Sequence, residues 1–160
     1  MKQKINKILS QSGVIPYRII NGNVEVLLIT SRERQNWVVP KGGVVRGMSP
    51  ADSAAKEAWE EAGVIGKVHQ EEFASYNYCK NGKTYCVVMY PLSVEYISEH
   101  YPEAKLRQRQ WVDVNTAIDT VKPVLRGVFR QFGEMNLPSS CGEGKEEERG
   151  IWKWLKHLFD

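Results

Sequence analysis

The chain has 160 residues, of which 42% are hydrophobic. That is enough apolar material for one folded core and too little for two independent ones. The 22 Lys and Arg residues against 19 Asp and Glu give a formal net charge of +3, which is too mild to indicate nucleic-acid binding. The sequence shows no signal peptide and no apolar run of about 20 residues that could span a membrane. We therefore expect one soluble domain.

The cysteines and histidines show no spacing typical of a metal site. An odd number of scattered cysteines fits a reducing compartment better than a disulfide framework. We therefore expect a cytoplasmic location. The residues concerned are Cys79, Cys86, Cys141, His69, His100 and His157.

The N-terminal part of the chain predicts a hairpin. Two apolar stretches, Val14–Ile20 and Val24–Thr30, have strand-like composition, and Asn21-Gly22-Asn23 between them is typical of a tight turn. A third short strand, Trp37–Val39, leads into a loop that contains Gly42 and Gly43.

A helix is predicted between Ser49 and Gly63. Ser49 is a good N-cap, Pro50 suits the first helical position, and Asp52 stands where an acid could reach back to the cap. Gly63 supplies a C-terminal stop. Five alanines at helical spacing form a narrow strip that lets a sheet approach closely, namely Ala51, Ala54, Ala55, Ala58 and Ala62.

The C-terminal half predicts more strands and two helices. Strands interleaved with few helices indicate an α/β (α+β) fold, with helices on both sides of a mixed sheet. The predicted strands are Phe73–Cys79, Lys83–Glu95 and Gln110–Val112, and the predicted helices are Asn115–Val121 and Val124–Phe132, separated at Pro123.

The last part of the chain differs in composition from the domain at residues 1–132. Residues 133–150 are rich in Gly, Ser and Glu and indicate a linker. Residues 151–160 predict a short amphipathic aromatic helix that exposes too much apolar area to remain free. Docking on its own domain or on a second subunit, as a homodimer, is expected, and a membrane-surface or partner-protein role is the alternative.

Three glutamates of the predicted central helix, Glu57, Glu60 and Glu61, stand at i, i+3 and i+4. Side chains at this spacing are neighbours, so the three charges repel one another. A solvated acidic face is one explanation. The other is an oxygen-ligand site for a divalent cation such as Mg²⁺, for which Gly42 and Gly43 would let backbone approach closely.

The segment Gly42–Val64 resembles the Nudix box, G-x5-E-x7-R-E-U-x-E-E-x-G-U, where U is aliphatic. Gly42, Gly63 and the three glutamates match in register. Met48 stands in place of the first glutamate and Lys56 in place of the arginine. The resemblance implies that this pair helps to order the loop and the helix, and a lysine cannot reproduce a bidentate guanidinium fork. The fold that the resemblance implies is the Nudix α/β/α sandwich.

Further motifs resemble the branch of the family that acts on diphosphoinositol polyphosphates and dinucleoside polyphosphates. This likeness extends from residue 12 to about residue 132. It rests on Pro16-Tyr17-Arg18, Thr30-Ser31-Arg32, Trp37–Pro40, Lys83-Thr84-Tyr85, Arg107–Trp111, Ala117-Ile118 and Lys122-Pro123-Val124.

The resemblance implies hydrolysis of a phosphoanhydride in a small polyphosphate, dependent on Mg²⁺ or Mn²⁺. Glu57 and Glu61 would then ligate the metal, Lys41 or Gly42 would offer a backbone carbonyl, and Glu60 would act as general base. A polyphosphate also needs cationic side chains. The candidates are Arg18, Arg32, Lys41, Lys83, Arg107, Arg109 and Lys122, for each of which a surface role is the alternative.

Two other functions stay open on the sequence alone. Met48 and Lys56 are compatible with a binding module that keeps the fold but has weakened turnover. The aromatic tail is compatible with a scaffold. A nucleobase could stack on Tyr17, Tyr76 or Tyr85, although core tyrosines are commoner.

Overall fold

The structure is a computed structural model that describes residues 7–135 and residue 137. Within this part the chain forms eight strands and three helices. They are β1 (Ile8–Ile20), β2 (Asn23–Thr30), β3 (Trp37–Val38), β4 (Lys41–Gly43), α1 (Pro50–Ala62), β5 (Val64–Val68), β6 (Ala74–Lys80), β7 (Lys83–Ile97), β8 (Arg109–Asp113), α2 (Val114–Thr120) and α3 (Pro123–Gly133).

The sheet is mixed, as the sequence predicted. Its main path runs β3-β2-β1-β7-β5, while β4 pairs with β1, β6 with β7 and β8 with β2. The central pair, β1 and β7, is parallel from Ile8↔Thr84 to Tyr17↔Ser93. The other pairs are antiparallel.

Alternating side chains of the central strands point into two separate cores. On one face Ile15 and Tyr17 pack against Phe129 and Phe132 of α3. On the other face Val14 and its neighbours pack against the alanine strip of α1, whose five alanines are at most 1% exposed. The sheet therefore lies between helices on both sides, and the predicted sandwich is confirmed.

Helix α1 begins and ends as the sequence predicted. Ser49 Oγ accepts a hydrogen bond from the Asp52 backbone N–H at 3.1 Å, and Pro50 is the first helical residue. Gly63 adopts a left-handed conformation with φ 67°. The Asp52 carboxylate does not reach back to the cap residue's N–H as expected, but accepts a hydrogen bond from Gln70 Nε2 at 2.9 Å.

The structure has one strand that is longer than predicted and two short strands that were not predicted. Strand β1 begins at Ile8 rather than Val14, because its first half pairs with β7 far along the chain. The short strands β4 and β5 were not predicted, since their glycines lower the local strand propensity. Strand β4 forms through its pairing with β1, where Ser12 lies opposite Gly42.

Helix α3 covers one residue more at each end than predicted, Pro123–Gly133. The predicted linker was to begin at residue 133, but Gly133 still belongs to α3. The rest of the linker beyond residue 137 and the predicted helix at 151–160 lie outside the described residues. Among the residues described, no helix has the length and apolar character needed to cross a membrane.

Candidate active site

The three glutamates of α1 occupy different surroundings. Glu61 is buried, with 8% of its surface exposed. Glu57 is partly buried. Glu60 is also partly buried, with 34% of its side chain exposed, and its carboxylate pairs with Lys56 Nζ at 3.3 Å. None of the three glutamates is fully exposed, which contradicts a simply solvated acidic face.

The strand before α1 is held against these carboxylates. The Lys41 backbone N–H donates to Glu61 Oε2 at 3.2 Å. Gly42 lies directly against Glu57, so that a Cβ at this position would overlap the Glu57 carboxyl group. Only glycine permits this close approach of backbone to carboxylate.

Burial makes the charged forms of two carboxylates unfavourable. Burial first, and then the nearby charge of Glu60, raise the pKa of Glu57 to about 7, while Lys56 opposes the shift. Burial also raises the pKa of Glu61 to about 8, with Arg107 opposing the shift and Glu57 and Glu103 adding to it. Ionising these two carboxyl groups therefore costs free energy, and a bound cation would lower that cost.

Glu103 joins this acidic group, and our sequence reasoning missed it. It comes from the segment between β7 and β8, and its backbone N–H donates to the Glu60 carbonyl at 2.9 Å. Its carboxylate accepts from Arg32 Nη2 at 2.8 Å and lies 3.5 Å from Arg107 Nε. The one sequence signal was the four-residue spacing from Glu103 to Arg107, which is common on any charged segment.

Arg107 connects the acidic residues. Its guanidinium lies between Glu61, at 3.5 Å from Nη2, and Glu103. Nη1 donates to the Thr30 carbonyl at 3.0 Å, and only 9% of the side chain is exposed. Arg107 therefore supplies a fixed positive charge to the carboxylates.

A cleft of about 500 Å³ opens beside Glu61. Tyr78 forms part of its wall, with its ring stacked on Tyr85 at 4.9 Å and with Lys41 Nζ 4.4 Å from its centroid. Positive side chains outnumber negative ones in the lining, so the cleft suits an anion. The charged lining residues are Arg32, Glu33, Lys41, Glu61, Lys80, Arg107 and Lys122.

The cations predicted for substrate binding do not all meet here. Four of them line the cleft: Arg32, Lys41, Arg107 and Lys122. Lys80, which also lines it, was not predicted. The remaining three predicted cations, Arg18, Lys83 and Arg109, are not among the lining residues.

Arg18 and Arg109, which do not line the cleft, contact other residues of the fold instead. Arg18 pairs with Glu25 at 2.8 Å and lies 4.0 Å over the Trp111 ring. Arg109 Nη1 donates to the carbonyls of Ala62 and Ser98, each at 2.9 Å. Lys83 is exposed at the β6–β7 turn.

The donor atoms fit a hard divalent cation. Glu57 and Glu61 offer carboxylate oxygens, which such an ion prefers, and the backbone at Lys41 and Gly42 lies against them. Within residues 7–135 and 137, no three acidic, histidine or cysteine side chains converge as ligands.

The match of the sequence to the NUDIX domain family covers residues 10–132. Together with the sandwich fold and the glutamates of α1, this match shows that the chain belongs to the Nudix family. Nudix hydrolases act as pyrophosphohydrolases on acid anhydrides, and the chain is an enzyme of this class.

Individual relatives support the assignment. The chain is 36% identical over 155 residues to "Nudix hydrolase 17, mitochondrial" of Arabidopsis thaliana, covering 91% of this chain and 85% of the relative. It is 38% identical over 106 residues to "Diphosphoinositol polyphosphate phosphohydrolase 2" of Rattus norvegicus, covering 62% and 58%. Its fold is similar to that of C. elegans Ap4A hydrolase in a binary complex, with a TM-score of 0.63, 23% identity and coverage of 78% and 95%.

Proposed function

We propose that the protein hydrolyses a phosphoanhydride bond in an inositol or nucleoside polyphosphate in the presence of Mg²⁺ or Mn²⁺. The single observation that carries this proposal is the pair Glu57 and Glu61, one partly buried and one buried, beside a cleft rich in cations. The carboxylates can hold a metal, and the cations can hold the remaining phosphates.

Glu57 and Glu61 would hold the metal, together with a carbonyl of Lys41 or Gly42. When bound, the metal lowers the pKa of a water molecule and shields phosphate oxygens. The chain itself orients the donors through the Lys41–Glu61 hydrogen bond and excludes water by burying Glu61.

Two carboxylates are candidates for the general base. Glu60 is the candidate from the family resemblance, although its carboxylate pairs with Lys56. Glu103 is the second candidate, because its backbone N–H donates to the Glu60 carbonyl at 2.9 Å and so brings this residue to α1, although its carboxylate pairs with Arg32 and Arg107. Separate Gln substitutions distinguish them.

Among substrates, the cleft favours one dense in phosphate over one recognised by a nucleobase. One face of the Tyr78 ring is stacked on Tyr85, and Lys41 lies over the ring, so Tyr78 is poorly placed to stack a base. Tyr17 is 1% exposed. Diphosphoinositol polyphosphates, which a similar rat protein is named for, are therefore the preferred substrate class.

Dinucleoside polyphosphates are the second candidate, and Tyr76 is the observation that favours them. It lines the cleft and is only partly buried, so it offers an aromatic surface for a base. A product-identity screen over both classes with Mg²⁺ and Mn²⁺ tests the proposal. No release of phosphate or nucleotide from any of them would contradict it, whereas Tyr76→Leu should impair only the dinucleotide reaction.

A weakened binding module is the alternative that Met48 and Lys56 motivate. Such a protein would bind a polyphosphate without forming product. Product formation above that of Glu61→Gln excludes this alternative, while tight binding without product supports it.

Location and assembly also remain proposals. We propose a cytoplasmic protein, although several similar plant proteins are named mitochondrial. We also propose a homodimer formed through residues 151–160. Deleting residues 138–160 should convert a dimer to a monomer in light scattering while catalysis continues.

A further inference from the structure

Ser53 is a buried polar residue of α1, with 0% exposure. Its Oγ accepts a hydrogen bond from the Val45 backbone N–H at 2.9 Å. The neighbouring buried positions of the helix are alanines, which only pack. Ser53 therefore joins the buried face of α1 to the backbone at Val45 by a hydrogen bond.

The backbone it holds is the loop between β4 and α1, residues 44–49. A turn closes within this loop, since the Met48 N–H donates to the Val45 carbonyl at 3.1 Å, and Gly47 has φ +87°. Ser49 ends the loop as the cap of α1. The Ser53 hydroxyl therefore holds the first part of the loop, just after β4, while Ser49 holds its end.

The charged pair expected for this loop is missing from the sequence. Met48 carries no charge, and Lys56 Nζ is directed along the helix to Glu60 at 3.3 Å. In the absence of that pair, the Val45–Ser53 hydrogen bond attaches the loop to α1.

We propose that Ser53 is a positioning residue that takes over the ordering of the 44–49 loop and so keeps Gly42 against Glu57. This inference rests on the proposed function. Strand β4 itself is also held, by its pairing with β1 at Ser12 and by the Lys41–Glu61 hydrogen bond, but the latter uses a carboxylate that a metal would also engage. The Ser53 hydroxyl has no such competing role, so it holds the loop with or without metal.

Amide hydrogen exchange of the metal-free protein tests the proposal directly. Ser53→Ala should speed exchange of the amides of residues 44–48 by about tenfold, because one buried hydrogen bond is lost. Ser53→Thr keeps the hydroxyl and should exchange like wild type. Ser75→Ala, at an exposed serine of β6, is the matched control and should also leave the loop unchanged.

Metal binding provides the second measurement. Ser53→Ala should weaken Mn²⁺ affinity, followed by electron paramagnetic resonance, by about tenfold, while KM for substrate at saturating Mn²⁺ changes little. A merely structural role would lower the melting temperature without this loop-specific and metal-specific pattern.

Unchanged exchange at Val45 in Ser53→Ala, or equal acceleration in Ser53→Ala and Ser53→Thr, would overturn the proposal. If Ser53→Ala does not fold, hydrogen exchange of the wild-type protein in EDTA provides the test. Fast exchange of the Val45 amide would overturn the proposal, and slow exchange supports it. Failure of the proposed function would appear differently, as absence of hydrolysis by wild type while the exchange pattern persists.

Discussion

The Glu61 carboxylate accepts a hydrogen bond from the Lys41 backbone N–H at 3.2 Å, and this contact couples strand β4 to helix α1. One carboxylate oxygen is thereby fixed in direction before any ligand binds. The same coupling brings Gly42 against Glu57. The positions of the site carboxylates therefore depend on backbone that lies outside their own helix.

The contrast between Gly42 and Gly43 gives the first prediction. Gly42→Ala should lower kcat/KM by about 100-fold, because the added Cβ would overlap the Glu57 carboxyl and displace it. Gly43→Ala is the matched control, since no heavy atom lies within 4 Å of a Cβ there. Its activity should remain within about twofold of wild type. Equal activity of the two variants would contradict the assigned role of Gly42.

Single Gln substitutions at the four glutamates test the division of roles. Glu57→Gln and Glu61→Gln should each lower kcat by about 100-fold or more and weaken Mn²⁺ affinity in calorimetry. The general base should lower kcat similarly while leaving Mn²⁺ affinity nearly unchanged. Whichever of Glu60→Gln and Glu103→Gln shows that pattern identifies the base. Wild-type turnover in all four variants would refute the mechanism.

Two exposed lysines test the cation assignment. Lys122 lines the cleft and Lys83 does not, although the sequence favoured both. Lys122→Ala should raise KM about threefold to tenfold with little change in kcat, because an exposed lysine contributes binding as a point charge. Lys83→Ala should leave KM as in wild type. A larger rise in KM for Lys83→Ala than for Lys122→Ala would show that the substrate phosphates do not bind in this cleft.

Arg109 is expected to stabilise the fold rather than bind substrate. It donates to the carbonyls of Ala62 and Ser98, and its guanidinium lies 4.8 Å from the Tyr101 ring centre. Arg109→Ala should lower the free energy of unfolding by about 1–3 kcal/mol in urea titrations, with KM unchanged. A raised KM without loss of stability would instead support the role that the sequence suggested.

The raised pKa values of Glu57 and Glu61 predict a dependence of stability on pH. Both groups hold protons more strongly in the folded than in the unfolded state, so they stabilise the fold fully below their ordinary pKa of 4.5. This stabilisation is lost as the pH rises through their folded-state pKa values of about 7 and about 8. The metal-free protein should therefore melt at a lower temperature at about pH 8.5 than at about pH 6.5.

Scanning calorimetry in EDTA measures this shift. His69 cannot produce this decline, because burial lowers its pKa in the folded state. Its protonation in the unfolded state therefore weakens the fold at the acidic end of the range and opposes the predicted shift. Saturating Mn²⁺ should remove most of the decline, since metal binds the ionised carboxylates more strongly as the pH rises. Glu61→Gln should show a much weaker decline, and an unchanged decline would show that Glu61 is not its source.

The sequence predicted helix α1 well because its ends and its packing face depend on local chemistry. Ser49, Pro50 and Gly63 determine the ends, and alanines determine how closely the sheet approaches. The hairpin of β1 and β2 was predicted for the same reason, since Asn21-Gly22-Asn23 specifies a turn regardless of the rest of the chain.

Features that depend on distant pairing were not predictable in this way. Strand β4 forms by pairing with Ser12 and its neighbours in β1, and Glu103 reaches the site only because the segment after β7 returns to α1.

The positions of the predicted substrate-binding cations could not be predicted from sequence for the same reason. Arg18, Lys83 and Arg109 were indistinguishable in sequence from Arg32 and Lys122, because charge alone does not reveal which end of the sheet a side chain occupies.

The parallel pairing of β1 with β7 has a consequence for synthesis of the chain. Residues from Ile8 onward find their partners only at Thr84 and beyond, so the nascent polypeptide cannot close its sheet until more than half of it has emerged from the ribosome. Until then the alanine strip of α1 lacks its β7 contacts. A truncated product ending before Thr84 should expose apolar surface and be prone to aggregate or to be degraded.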